Sequence, residues 1–262
     1  MPPPGNAFNP TVTSWPVTYV LVGRGRLLRG GRLCDNTRMN STFAPSAARR
    51  RLLAAFLCLL SCLPGLAAAA RIPAAMQPLD PPTVLVMGDS LSAAYNLDVA
   101  QGWVALTGRK LAQAHPRWRV VNASISGETT AGGAARIVGE VARVRPTVVI
   151  IALGANDGLR GLPLPETRRN LARMIGAAQA LGARVLLVGM RMPPNYGAEY
   201  TRGFERTFVD LSSLFDTAFL PFLLEPVARE RANFQADNLH PTAEAQPALR
   251  DHVWAKLEPL LK

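Results

Sequence analysis

The sequence predicts an α/β fold: a mostly parallel, five-stranded sheet with helices on both faces. Two observations carry this. Thr83–Met87 (TVLVM) and Thr147–Leu153 (TVVIIAL) are continuous apolar runs. A strand apolar at every position is covered on both sides, which is the condition of a parallel sheet rather than a half-exposed antiparallel one. These and three weaker strands alternate with amphipathic stretches of helical length, the pattern of repeated β-α units. Neither an internal repeat nor an interdomain linker interrupts the series.

In chain order, residues 71–82 are a lead-in punctuated by proline, and Thr83–Met87 is the first strand. Gln101–Ala114 reads as an amphipathic helix with Trp103, Leu106 and Leu111 apolar, and Arg119–Ala123 as a second, short strand. Ala131–Val144 is helical and ends before Pro146; Thr147–Leu153 is the strongest strand. Glu166–Leu181 has Pro165 at its start and Gly182 beyond its end, the usual punctuation of a helix. Arg184–Val188 is the fourth strand, Glu199–Leu214 a helix, Ala218–Leu220 a short fifth strand, and Thr242–Leu261 contains the last helix. Trp103, Trp118, Trp254, Phe204, Phe208, Phe215 and Phe219 suit a core better than a cofactor box.

The N-terminal part does not read as fold. Residues 1–48 are rich in Pro, Gly and Arg. Arg49-Arg50-Arg51, the apolar run Leu52–Leu63 and the small residues Ala67–Ala70 then follow. A basic region, a short apolar core and a small-residue site describe a secretory signal peptide. The run of about a dozen residues is too short to span a bilayer. Residues 1–70 are therefore expected to be an extension plus signal peptide, with cleavage after Ala70 and export; an internal start at Met39 would give a leader of ordinary length. Residues 71–262 then form one domain. Leu59-Leu60-Ser61-Cys62 offers an alternative, a lipoprotein anchored through Cys62.

The formal charge of +11 belongs mostly to this leader. Residues 1–70 hold eight arginines against one acid, Asp35, leaving 21 basic and 17 acidic side chains from residue 71 onward. A nucleic-acid partner thus loses its main support, though mild basicity suits a peripheral membrane surface or acidic substrates. Cys34, Cys58 and Cys62 all precede Arg71. The expected domain has no disulfide, thiol nucleophile or cysteine metal site.

Ligands of parallel α/β sheets bind beyond the carboxyl ends of the strands. Ser90 follows the first strand, Gly127 the second and Asn156 the third, so chain order sets all three on one rim. Ser90, in Gly88-Asp89-Ser90-Leu91-Ser92, could be a turn or helix-capping residue, but its place just after a buried strand ending at Gly88 favours a nucleophile. The segment is neither a G-x-S-x-G elbow nor a phosphate-cradling glycine loop. Asp237 lies three residues before His240, close enough to accept from Nδ1–H on a tight turn and leave Nε2 for the Ser90 proton. A helix cap and a surface turn are the plainer readings of this pair. His115 and His252 have no such neighbour, and neither spacing makes a metal site with His240. Asn156 could donate its amide to a developing oxyanion or simply serve a turn beside Gly154 and Gly158. Gly127 has no side chain to keep a carbonyl from its N–H, or is an ordinary turn glycine.

Taken together, Gly88–Ser92, Gly127, Gly154-Ala155-Asn156-Asp157 and Asp237-x-x-His240 resemble the four sequence blocks of the SGNH (GDSL) hydrolases. Asn122–Gly127 (NASISG), Asn156–Gly161 (NDGLRG), Met192–Gly197 (MPPNYG) and His240-Pro241 through Ala245-Gln246-Pro247 are similar to the bacterial arylesterase/thioesterase I/lysophospholipase branch. The likeness covers nearly all of residues 83–261. It implies a three-layer α/β/α sandwich of the SGNH-hydrolase or flavodoxin-like kind. It also implies Ser90 as nucleophile, His240 as base, Asp237 as its orienter, and Ser90 N–H, Gly127 N–H and the Asn156 amide as oxyanion donors. The expected chemistry is hydrolysis of small acyl or aryl esters, thioesters or lysophospholipids, without metal or cofactor, by a monomer or small homo-oligomer. Asp89 and Leu91 are expected to touch substrate, and Pro193, Pro194 and Tyr196, on the loop after strand four, either line an apolar slot for it or simply stiffen that loop. A carbohydrate O-acetyl esterase, or a non-catalytic lipid- or surface-binding protein, remains open on the same scaffold. Two departures stand out: Ala155, where many relatives have glycine, and Asn238-Leu239, where relatives often have Gly-Ile.

Overall fold

The computed structural model describes residues 80–262. The expected signal peptide, the candidate processing sites at Ala70 and Cys62 and the expected boundary at Arg71 lie outside them.

Five strands form one all-parallel sheet: β1 (Thr83–Gly88), β2 (Arg119–Asn122), β3 (Val148–Ala152), β4 (Arg184–Val188) and β5 (Ala218–Leu220). Their spatial order is β2-β1-β3-β4-β5, so the first strand to be made lies inside the sheet. Every residue of β1 and β3 is buried, as their unbroken apolar sequences require. β2, on an edge, is only half-buried.

Six helices complete the described fold: α1 (Trp103–Ala114), α2 (Thr130–Val144), α3 (Ala155–Leu159), α4 (Leu164–Ala180), α5 (Ala198–Leu214) and α6 (Gln246–Leu257). α2, α4 and α5 pack in series on one side of the sheet, and α1 packs with α6 on the other. Each long helix turns one stripe inward. In α4 it is Thr167, Leu171, Met174, Ile175 and Ala178; in α5, Phe204, Thr207, Phe208 and Leu211. These spacings of three, four and seven are the period of an amphipathic helix. Full burial of one such aliphatic or aromatic side chain is worth about 1.5–3 kcal/mol. α2 stops where Arg145 takes a left-handed conformation (φ 49°), since Pro146 disfavours a helical residue before it.

The element boundaries expected from sequence differ from these by at most two residues and coincide for β4 and β5, except for α6, whose range had been left broad. Trp103, Phe204, Phe208 and Trp254 are core residues, while Trp118, Phe215 and Phe219 pack partly buried against the core. The half-buried His252 ring lies 3.0 Å from the Phe222 carbonyl, a structural contact. α3 is a single turn that the sequence pattern did not suggest. Among the described residues, no helix is long and apolar enough to cross a membrane.

Candidate active site

The carboxyl ends of β1, β2 and β3 and the loop before α6 enclose a cavity of about 210 Å³. Ser90, Gly127, Asn156 and His240 line it, with Leu91, Ala155, Leu159, Met190 and Leu239 as apolar walls.

Ser90 follows β1 directly. The turn that presents it is closed by hydrogen bonds from the Ser92 and Ala93 N–H groups to the Asp89 carbonyl, and by one from Leu91 N–H to Asp89 Oδ1 at 3.0 Å. The buried Trp103 indole at the start of α1 donates to the Leu91 carbonyl and pins the turn from behind. The opposite wall comes from the loop after β2. Asn122 donates to the Ser92 carbonyl and accepts from Ser124 N–H, tying this loop to the serine turn. Glu128 and Arg136 form an ion pair that braces the same loop. The bond to Glu128 raises the Arg136 pKa above its ordinary value.

His240 arrives on the segment before α6. Its Nε2 lies 2.8 Å from Ser90 Oγ, and its Nδ1 lies 2.7 Å from Asp237 Oδ2. A carboxylate only accepts, so Nδ1 carries a proton, and in the neutral ring Nε2 is then the nitrogen left to accept from the serine hydroxyl. Asp237 Oδ1 accepts two further bonds, from the N–H groups of Leu239 and His240. The His240 N–H, then the Leu239 N–H, hold the Asp237 carboxyl down to about 2, so it stays ionised across the physiological range. The geometry therefore aligns a hydroxyl, an imidazole and an anion in one hydrogen-bonded chain.

Facing the serine, Asn156 sits in α3 and donates one amide N–H to the Glu128 carbonyl at 3.0 Å, which fixes its plane and leaves the second N–H unused among the described residues. Neither Ser90 N–H nor Gly127 N–H has a hydrogen-bond partner among the described residues. Gly127 has φ +77°, a conformation that favours glycine beyond the matter of space. Three donors of different origin thus lie around one cavity with the hydroxyl.

Two sequence departures now have physical readings. Ala155 does not take a positive φ, so its methyl is tolerated. Asn238 does, at φ 59°, and asparagine is among the side chains that best tolerate the left-handed region after glycine.

Leu91 is on the cavity, but the other four residues expected near substrate do not line it. The Asp89 side chain is buried beneath the serine turn, 1% exposed, and bonds to Leu91 N–H instead. Its neighbour Ser90 reaches the rim, while the turn closed on the Asp89 carbonyl and carboxylate holds the Asp89 side chain beneath it. Pro193, Pro194 and Tyr196 do not line the cavity. They form a tight turn, and the Tyr196 hydroxyl donates to the Leu159 carbonyl from behind the cavity wall. Residues that sequence reasoning passed over include Tyr95, Ser126, Leu159, Met190 and Leu239, all on the cavity. Asp157 was also missed as an anchor: its buried carboxylate accepts from Thr130 N–H at 2.8 Å, from the Thr130 hydroxyl at 2.5 Å and from Thr167. It thereby caps α2, whose own N-cap, Thr129, makes no side-chain cap bond, and fixes the strand-three loop against α4.

A parallel α/β sheet that carries a serine, histidine and aspartate in line, opposite amide donors, defines a serine acyl hydrolase. Residues 86–247 match the model of the GDSL-like Lipase/Acylhydrolase family, and the chain belongs to that family. It is 49% identical over 179 residues to the esterase TesA of Pseudomonas aeruginosa, covering 68% of this chain and 89% of the relative. To the thioesterase 1/protease 1/lysophospholipase L1 of Escherichia coli strain K12 it is 37% identical, covering 68% and 85%. The psychrotrophic esterase EstA from Pseudoalteromonas sp., solved inhibited by monoethylphosphonate, is similar in structure. The TM-score is 0.66 at 37% identity, over 68% of this chain and 98% of that one. The protein is a serine carboxylic ester hydrolase with the SGNH three-layer fold.

Proposed function

We propose that Ser90, His240 and Asp237 are the catalytic residues and that the substrates are small acyl or aryl esters, thioesters or lysophospholipids. The observation that carries this is the unbroken line Ser90–His240–Asp237, with contacts of 2.8 and 2.7 Å. Ser90 Oγ attacks the carbonyl carbon as its proton passes to His240 Nε2, and the C=O pair moves onto oxygen. Ser90 N–H, Gly127 N–H and the free Asn156 amide hydrogen hold that oxyanion. The tetrahedral species collapses, and the alcohol or thiol leaves with the Nε2 proton. Water then attacks the acyl-serine, giving its proton to Nε2, and Ser90 departs with it. Asp237 keeps Nδ1–H in place and balances the imidazolium.

The apolar walls formed by Leu91, Ala155, Leu159, Met190 and Leu239 suit an acyl or aryl group. The names of the relatives, esterase and thioesterase/lysophospholipase, agree with this range. The Ser90→Ala variant tests the assignment. It should keep its fold and lose turnover of p-nitrophenyl acetate and butyrate, together with labelling by a fluorophosphonate. Unchanged turnover in that variant would refute it. We also propose export, with residues 1–70 as leader and 71–262 as the hydrolase domain. N-terminal sequencing of exported protein distinguishes cleavage after Ala70 from processing at Cys62.

A further inference from the structure

Tyr95 belongs to none of the expected roles, yet its ring stands over the base. Its centroid is 4.3 Å from that of His240, with the planes tilted by 32°. It lines the cavity and is 46% exposed, so burial does not explain its place. The backbone holds it there at some cost: Ala94 and Asn96 on either side have φ 60° and 56°. Left-handed conformations at residues other than glycine are disfavoured and persist where surrounding contacts impose them.

Those contacts are present. Gln235 Nε2 donates to the Tyr95 carbonyl and the Pro241 carbonyl, each at 3.1 Å, while Gln235 Oε1 accepts from Asn96 Nδ2. The Gln235 backbone N–H donates to the His240 carbonyl at 2.8 Å. Tyr95 N–H in turn donates to the Ser90 carbonyl at 3.2 Å. One glutamine thus ties the tyrosine to the histidine segment, and the tyrosine backbone ties both to the serine turn.

Resting on the catalytic assignment above, we propose that Tyr95 is a positioning residue for the base, its ring face stabilising the imidazolium that forms at His240 while Ser90 attacks. An aromatic face attracts a cation within about 6 Å of its centroid. His240 becomes cationic only as the serine proton is transferred, so the attraction grows toward the transition state and contributes to kcat. The titratable groups in contact with the His240 ring are Asp237, at Nδ1, and Tyr95, across the ring face.

The test is Tyr95→Phe beside Tyr95→Leu. An exposed cation–π contact implies about a two- to fivefold loss of kcat in Tyr95→Leu, with KM little changed and Tyr95→Phe near wild type. The same contact sets a second readout that needs no turnover. In a Ser90→Ala background, the His240 imidazole titration followed by NMR should move down by roughly half a pH unit on adding Tyr95→Leu, and hardly at all with Tyr95→Phe. If Tyr95→Leu folds poorly, Tyr95→Trp replaces it, with an expected upward move because indole binds cations best. A titration unchanged in all variants, or a loss confined to KM, overturns the proposal and makes Tyr95 a substrate wall. Activity remaining in Ser90→Ala alone refutes the catalytic assignment instead, leaving the NMR readout to judge Tyr95.

Discussion

Replacing Asp89 by asparagine should remove most of a pH dependence from the stability of this protein. Asp89 is 1% exposed; one carboxyl oxygen accepts from Leu91 N–H, and the other, Oδ2, is buried without a partner among the described residues. Burial outweighs the lowering by the Leu91 N–H and pushes this carboxyl up to about 7, from an ordinary 3.8, with Asp157 and Glu128 adding to the rise. Below about pH 4 both folded and unfolded chains hold the proton, and the site costs nothing electrostatically. Between there and about pH 7 the folded chain keeps a proton that the unfolded chain has lost, so stability falls as pH rises. Above that, both forms are ionised and the full penalty remains. About three pH units at about 1.4 kcal/mol each make this on the order of 4 kcal/mol. In Asp89→Asn, Oδ1 can still accept from Leu91, while the new NH₂ costs roughly 1–3 kcal/mol at every pH. Urea unfolding from about pH 4 to pH 8 should therefore show the variant gaining on wild type by several kcal/mol. Parallel curves across that range would refute the reasoning, because they would mean that Asp89 titrates alike in both states.

Three further substitutions probe the site and the scaffold. Asp237→Asn should lower kcat by roughly 10⁴-fold with KM little changed, through loss of the anion that fixes Nδ1–H. Because its depressed pKa contributes stability above about pH 4 that is lost as pH falls toward 2, the same variant should melt below wild type near neutral pH, with the gap closing as pH falls from about 4 toward 2. Asn156→Ala should cost about 10²–10³ in kcat, read by steady-state kinetics on a short-chain ester. Gly154→Ala should destabilise by about 2–4 kcal/mol, because Gly154 has φ +125° and an added Cβ would meet Phe208 Cζ at 2.9 Å. Denaturant titration checks this.

The sheet was legible in sequence because Thr83–Met87 and Thr147–Leu153 are apolar without alternation, a signal that needs no tertiary context. The rim positions of Ser90, Gly127 and Asn156 followed from strand order alone. What stayed hidden depended on side-chain direction or on contacts between distant segments. Asp89 and Ser90 are adjacent, yet one goes under the turn and the other into the cavity. Pro193-Pro194-Asn195-Tyr196 follows a strand, as a rim loop should, but a hydrogen bond to the Leu159 carbonyl holds Tyr196 on the outer side of the wall. Tyr95 and Asp157 carried no periodicity or spacing signal. Their partners, His240 and Thr130, lie 145 and 27 positions away in the chain.

The final strand ends at Leu220, yet the imidazole that meets Ser90 is supplied 150 residues after it, on an irregular stretch just ahead of the C-terminal helix. All five strands can in principle be laid down while the serine still has nothing to receive its proton. On the proposed catalytic assignment, cleavage requires this stretch to be docked against the serine turn. Loss of that one contact would then silence the enzyme while leaving all five strands in place.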